Sequence, residues 1–201
     1  MSQPFSCTVS VPELRDVDED NGEFWVGNPF KFSNVKENLS AYERNGCFLN
    51  DRNGSFLDIS YLSGSDNRGD SRTVVGADID RDGMPELFVR QVGGGALVVY
   101  KNNFPKTNWL AISLRGEQSN SAGIGAKIIV KAGDLTVQRE LFPVVNFLSQ
   151  AQAKVHIGLQ KRQQVDSITI AWPSGEETKL IDIEANQHLR VYESDGHTEA
   201  L

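Results

Sequence analysis

From Ser71 onward the chain is a succession of short segments in which apolar and polar residues largely alternate: SRTVVGAD, ELFVRQV, ALVVYKN, NWLAISLRG, AKIIVKAG, LTVQRELF, AKVHIGL, DSITIAWP, TKLIDIE and QHLRVYE. Val, Ile, Leu and aromatic residues fill them, and clusters of Gly, Asn, Asp, Ser and Pro separate them. Two-residue alternation gives a strand one apolar and one polar face, and a 3.6-residue period never persists over a dozen positions. The expectation is an all-β fold. WPSGEE reads as a hairpin turn, with Pro173 presetting φ and Gly175 accepting a positive one. LDISYLSGSDNRGDSRT, from Leu57 to Thr73, reads as a long polar loop feeding a strand. The 201 residues, 39% of them hydrophobic, suffice for one large or two small domains with a real core.

Against that background GADIDRDGMPELFV, beginning at Gly76, stands out. Asp78, Asp80 and Asp82 alternate, Gly83 follows, and Glu86 stands ninth from Asp78. Alternating aspartates on a tight turn aim oxygens inward, which suits Ca²⁺ with its six to eight oxygen ligands. An EF-hand would need a bidentate Glu at the twelfth position and helices on both sides; here the twelfth residue is Val89 and the flanks read as strands. The expectation is a shorter calcium loop between two strands, with carboxylates from Asp78, Asp80, Asp82 and Glu86 and the carbonyl of Met84. Mg²⁺ suits such a cage less well, and a solvated acidic turn is the alternative. A second copy, RDVDEDNGEFWV, carries Asp16, Asp18 and Asp20, 62 residues before Asp78. It is the weaker site, because Asn21 displaces the glycine and Phe24 stands where the closing carboxylate belongs.

Charge agrees with a cation in the first half. The net charge is −7, and residues 1–105 carry 16 acidic and 10 basic side chains, so six of the seven net negative charges lie there. That balance argues against nucleic acid as a partner. No apolar run approaches the ~20 residues of a membrane-spanning helix, so membrane insertion is not expected. MSQPFSCTVSVPELRD has neither the basic nor the apolar region of a signal peptide. Either the protein is cytoplasmic or Met1 is not the start of the full gene product. Cys7 and Cys47 fit one disulfide or two small buried hydrophobes.

Several of these stretches resemble known families. DIDRDGMPELFV is similar to the calcium loop of FG-GAP/VCBS-type β-propeller repeats, and FLNDRNGSFLDISYLSG resembles the strand and turn that precede it. From about Asn108 the chain resembles the ASPIC/UnbV domain of cartilage acidic protein-like proteins. NWLAISLRG, SNSAGIGAKIIV, VQRELF, FLSQAQAKVHIGL, VDSITIAWPSG and IEANQHLRVYE follow in that family's order. PVVNF at 143–147 and Gln160 depart from its usual glycine-rich pattern. The resemblance implies one or two propeller-type blades over 1–107, a compact β-sandwich or barrel-like ASPIC/UnbV domain over 108–194, and a polar tail over 195–201. It also implies an extracellular or cell-surface, calcium-binding, non-enzymatic adhesion module with a protein or glycan ligand. A closed propeller needs at least four blades, so either N-terminal blades are missing or the sheets pack on the C-terminal domain or on a partner; a structural subunit that completes another chain's propeller is a further alternative.

Enzyme chemistry finds less support. GxSxG is absent, and the glycines of GIGAKI and of GGG from Gly93 lack a phosphate-loop context. His156, His188 and His197 have no metal spacing and read as structural. Trp109 and Trp172, at strand positions, read as core rather than as sugar platforms. The sequons at Asn38 and Asn53 matter only in a glycosylating secretory pathway. A carboxylate- or metal-assisted hydrolase remains the alternative; it would need an open metal position facing a cleft with a His or second acid beside it.

Overall fold

A computed structural model describes residues 44–51, 53–69, 71–91, 96–146 and 149–201. Asp16, Asp18, Asp20 and Cys7, and with them the second acidic loop and any pairing of the cysteines, lie outside the described residues. The described residues fall into two units, one ending at Ser71 and the other made of Arg72–Gln91 and Ala96–Leu201.

In the first unit β1 (Phe48–Asn50) and β2 (Phe56–Asp58) form an antiparallel hairpin with Leu49 opposite Leu57. Asp51 shapes its turn, Oδ1 accepting the N–H groups of Asn53 (2.8 Å) and Ser55 (3.1 Å). The long loop expected after Leu57 instead contains one helical turn, α1 (Ser60–Ser63). Asp58 Oδ1 accepts the Ser60 N–H at 2.9 Å, and Gly64 ends the turn in the left-handed conformation.

The second unit is almost entirely β. A three-stranded sheet runs in the order β3 (Ser71–Ala77), β4 (Glu86–Gln91), β5 (Val98–Tyr100). There follow β6 (Asn108–Arg115), β7 (Lys127–Ala132), β8 (Leu135–Glu140), β9 (Val144–Asn146), β10 (Ser149–Gln150), β11 (Lys154–Gln160), β12 (Gln164–Ala171), β13 (Glu177–Glu184), β14 (Gln187–Tyr192) and β15 (Thr198–Ala200). They make two open four-stranded sheets, β11-β6-β14-β15 and β13-β12-β7-β8, while β9 and β10 form a two-stranded sheet among the described residues. Within the four-stranded sheets only β6 and β14 run parallel.

Alternation explains the packing. Leu110, Ile112 and Leu114 of β6, with Ile157 and Leu159 of β11 and Val191 of β14, share one core with Ile128 and Val130 of β7 and Ile168 and Ile170 of β12. Trp172 also enters it, 4% exposed, its indole N–H donating to Thr178 Oγ1 at 2.9 Å. Each such side chain contributes roughly 1.5–3 kcal/mol relative to exposure.

Glu193, just after β14, ties together loops that the two sheets leave open. Its Oε2 accepts the consecutive backbone N–H groups of Glu117 (2.6 Å), Gln118 (2.9 Å) and Ser119 (2.9 Å). Its Oε1 accepts the hydroxyls of Ser119 (2.6 Å) and Ser174 (2.7 Å). Burial pushes its pKa up, but the hydrogen bonds from Ser119, Ser174 and Glu117 outweigh it and hold the carboxyl at about 2. The terminal residues also differ from the expected polar tail. Asp195 Oδ1 accepts the His197 N–H (2.8 Å), Gly196 takes φ 67, and the hairpin so formed adds β15 to the sheet edge. No helix among the described residues is long and apolar enough to cross a membrane.

Candidate metal centre

The acidic loop joins β3 to β4. Asp78, immediately after β3, folds it inward: its Oδ1 accepts the Asp82 N–H (3.1 Å) and its Oδ2 the Gly83 N–H (3.0 Å). Asp82 Oδ1 accepts the Met84 N–H (2.9 Å). Arg81 (φ 60) and Gly83 (φ 83) supply the two left-handed residues that turn the chain back into β4. The result brings oxygens of Asp78, Asp80 and Glu86 within 4.8 Å of one another.

Glu86 is the most enclosed of the three. It opens β4, is 4% exposed, and its Oε2 accepts the Ile79 N–H at 3.3 Å. Three carboxylates this close repel one another, and a hard cation held among them would remove the repulsion. The lysines nearby do so only weakly. Lys101 Nζ lies 3.6 Å from Asp80 Oδ2 and Lys106 Nζ 3.2 Å from Asp82 Oδ2, and both lysines are largely exposed and screened by water. Asp82 stands outside the close group. The Met84 N–H, and then Lys106, hold its carboxyl below the ordinary range. Met84 is buried and spends its N–H on Asp82.

The same loop is seated on the outer face of β6 and β11. A Cβ placed on Gly83 would come within 2.0 Å of Trp109 Cδ1 and Nε1, so the glycine lies directly against the indole. Trp109 in turn stacks on His156, ring centroids 5.6 Å apart and planes 14° from parallel. His156 pairs across the sheet with Ala111, which pairs with His188 on the other side. Burial lowers the pKa of His156, with Asp78 pulling the other way, and its Nδ1 is buried without a partner. Burial likewise lowers His188, whose Nε2 lies 3.0 Å from Ser113 Oγ.

Sequence reasoning named Asp78, Asp80 and Glu86, which the fold brings together, and Asp82 and Met84, which flank them. It did not connect Trp109 and His156 with the loop. The available signal was alternation: Leu110 and Ile112 face the core, so Trp109 and Ala111 face away from it. Ala111 is nonetheless only 1% exposed, as a residue under a cover must be.

Comparison with curated proteins finds no similar sequence. Comparison with family models matches residues 116–198, the segment that takes in β7 to β14, to the family described as ASPIC and UnbV.

Proposed function

We propose that the loop Asp78–Glu86 binds Ca²⁺ and that the chain is a non-enzymatic, calcium-stabilised interaction module. The observation that carries this reading is the convergence of Asp78, Asp80 and the buried Glu86 within 4.8 Å. Asp82 and the Met84 carbonyl complete the ligand set, Asp82 by exchanging Lys106 for the ion. On this reading the β3-β4-β5 sheet and the hairpin before it are FG-GAP/VCBS-type propeller material of a cartilage acidic protein-like chain. On the same reading the chain acts outside the cell or at its surface, on a protein or glycan ligand, and further blades or a second chain would complete the propeller. Support for binding rather than hydrolysis comes from His156. It lies under the loop, stacked on Trp109, and is not one of the residues that converge with Asp78, Asp80 and Glu86.

An ion that binds only the folded state stabilises it by RT ln(1 + [L]/Kd), about 2.7 kcal/mol at a hundredfold excess over Kd. Calcium titration with thermal unfolding should therefore raise the melting temperature of the wild type and leave Asp80→Ala unmoved. Asp80 is a suitable position, because its carboxylate is 45% exposed and removing it leaves no buried partner behind. Equal, weak responses of the two proteins would refute the site.

A further inference from the structure

A cleft of about 620 Å³ opens beside the acidic loop, with Arg81 on one side and Trp109, Gln160, Lys161 and Asn186 on the other. We propose that this cleft is a second binding site, one that takes the carboxylate or sulfate group of an acidic saccharide.

Charge is the first reason. The cleft gathers Arg81, Lys106 and Lys161 against the single carboxylate of Asp82 in a chain of net charge −7. Lys106 is matched by Asp82 at 3.2 Å, whereas Arg81 and Lys161 have no carboxylate partner among the described residues. Two cations are therefore left for an anion.

Hydrogen-bond accounting is the second. Each amide oxygen lining the cleft is already occupied. Asn186 Oδ1 accepts the Trp109 N–H (3.2 Å), Asn108 Oδ1 accepts from Asn186 Nδ2 (2.9 Å), and Gln160 Oε1 accepts from Arg162 Nη1 (3.0 Å). Backbone amides and guanidinium groups only donate, so these partners fix the amide orientations in sequence. What remains for a guest is rich in donors, Asn108 Nδ2, Gln160 Nε2 and the two cations without a carboxylate partner, with Asp82 and Thr107 as the acceptors beside them. A donor-rich, cationic lining favours acceptors, above all an oxyanion.

Backbone conformation is the third. Of the described non-glycine residues with positive φ, Arg81 (60), Gln160 (60) and Asn186 (62) all line this cleft, and only Asp182 lies elsewhere. Three separate segments, the acidic loop, the end of β11 and the turn before β14, thus hold a costly conformation at one place, as functional clefts do.

The volume is that of a small-molecule site rather than of one ion. An acidic peptide fits less well, because each backbone N–H it brings needs an acceptor and the cleft has spent its amide acceptors. A saccharide hydroxyl accepts from the lining and turns its own proton to solvent. The cleft shares Arg81 and Asp82 with the acidic loop, and it rests on the calcium reading only for Lys106, which an ion taking Asp82 would leave as a third cation for the anion.

Calorimetry with the full chain tests the proposal. The probes are a sulfated, uronate-containing disaccharide, its neutral counterpart, inorganic sulfate and a poly-aspartate peptide, each with calcium and with chelator. The acidic disaccharide should bind more tightly than the other three, with affinity falling as salt rises. Arg81→Gln and Lys161→Gln should each weaken it about tenfold or more. Both variants should keep the wild-type melting temperature, and Lys179→Gln on the far sheet should bind as wild type. Retained affinity in the Arg81→Gln, Lys161→Gln double variant would overturn the proposal. So would equal binding of the neutral sugar, preference for the peptide, or no binding in either buffer. Because the chelator arm is read separately, failure of calcium binding and failure of this site are distinguishable.

Discussion

Replacing Gly83 by alanine tests whether the acidic loop is anchored on β6 through Trp109. Two costs can be separated. At φ 83 any L side chain is strained, by roughly 1–2 kcal/mol. The added methyl would also meet Trp109 Cδ1 and Nε1 at 2.0 Å and Cε2 at 2.6 Å. Trp109 has little freedom to yield, being stacked on His156 with its backbone N–H held by Asn186. Overpacking of that kind costs about 1–3 kcal/mol, for a total of roughly 2–5 kcal/mol against the ~5–15 kcal/mol of a typical domain. Gly175 provides the control: φ 97, with nothing within 4 Å of its added Cβ. Gly175→Ala should therefore cost only the first ~1–2 kcal/mol. Urea unfolding measures the difference. Hydrogen exchange at the Asp82 and Met84 amides, which donate to Asp78 and Asp82, covers the case in which the loop lifts off and leaves the rest folded. If Gly83→Ala is no less stable than Gly175→Ala, and those amides remain protected, the loop does not rest on Trp109 and the reasoning fails.

Acid should find Glu193. Its folded pKa, about 2, lies below the ordinary glutamate value of 4.5, so its stabilisation is fully present above pH 4.5 and lost as pH falls toward about 2. Glu193→Gln should melt lower than wild type at pH 7, and the gap should close across that window; a gap constant down to pH 2 contradicts the assignment. In the core, Ile168 is 0% exposed while Ile181 on the neighbouring strand is 64% exposed. Ile168→Ala should cost about 2–5 kcal/mol and Ile181→Ala less than about 0.5 in chemical denaturation.

The strand pattern carried most of the fold because burial follows the two-residue alternation directly. Each segment named from Ser71 onward forms a strand, and WPSGEE does join β12 to β13, with the Trp172 N–H on the Glu176 carbonyl at 2.9 Å. Long-range partnership was less legible. Nothing local in NWLAISLRG or QHLRVYE says that β6 and β14 lie side by side and parallel, since that pairing is decided by the shared core. The edge strand β15 escaped because TEA has no apolar alternation, although Asp195-Gly196 was a turn signal ahead of it. Glu86 was legible from spacing, whereas Asp82's turn toward Lys106 was not, because Lys106 arrives from 24 positions later in the sequence. The donor-lined cleft was beyond sequence reading for the same reason: Arg81, Lys161 and Asn186 come from three distant loops.

The loop's own hydrogen bonds bear on whether an ion would have to remake it. A carboxylate offers about four lone-pair sites. Asp78 commits one on each oxygen, to the Asp82 and Gly83 amides, and Glu86 commits one to Ile79. Each keeps acceptor capacity, so coordination can be added to the existing turn without breaking it. The backbone bonds fix where the carboxylates stand, and contact with Trp109 fixes where the turn stands on β6 and β11. A site prepared in this way gives up less conformational entropy on binding than one assembled around the ion. It follows that calcium should quiet exchange at Asp82 and Met84 only modestly in the wild type. In Gly83→Ala, where the support is gone, the same ion should have much more ordering to do and should bind correspondingly more weakly.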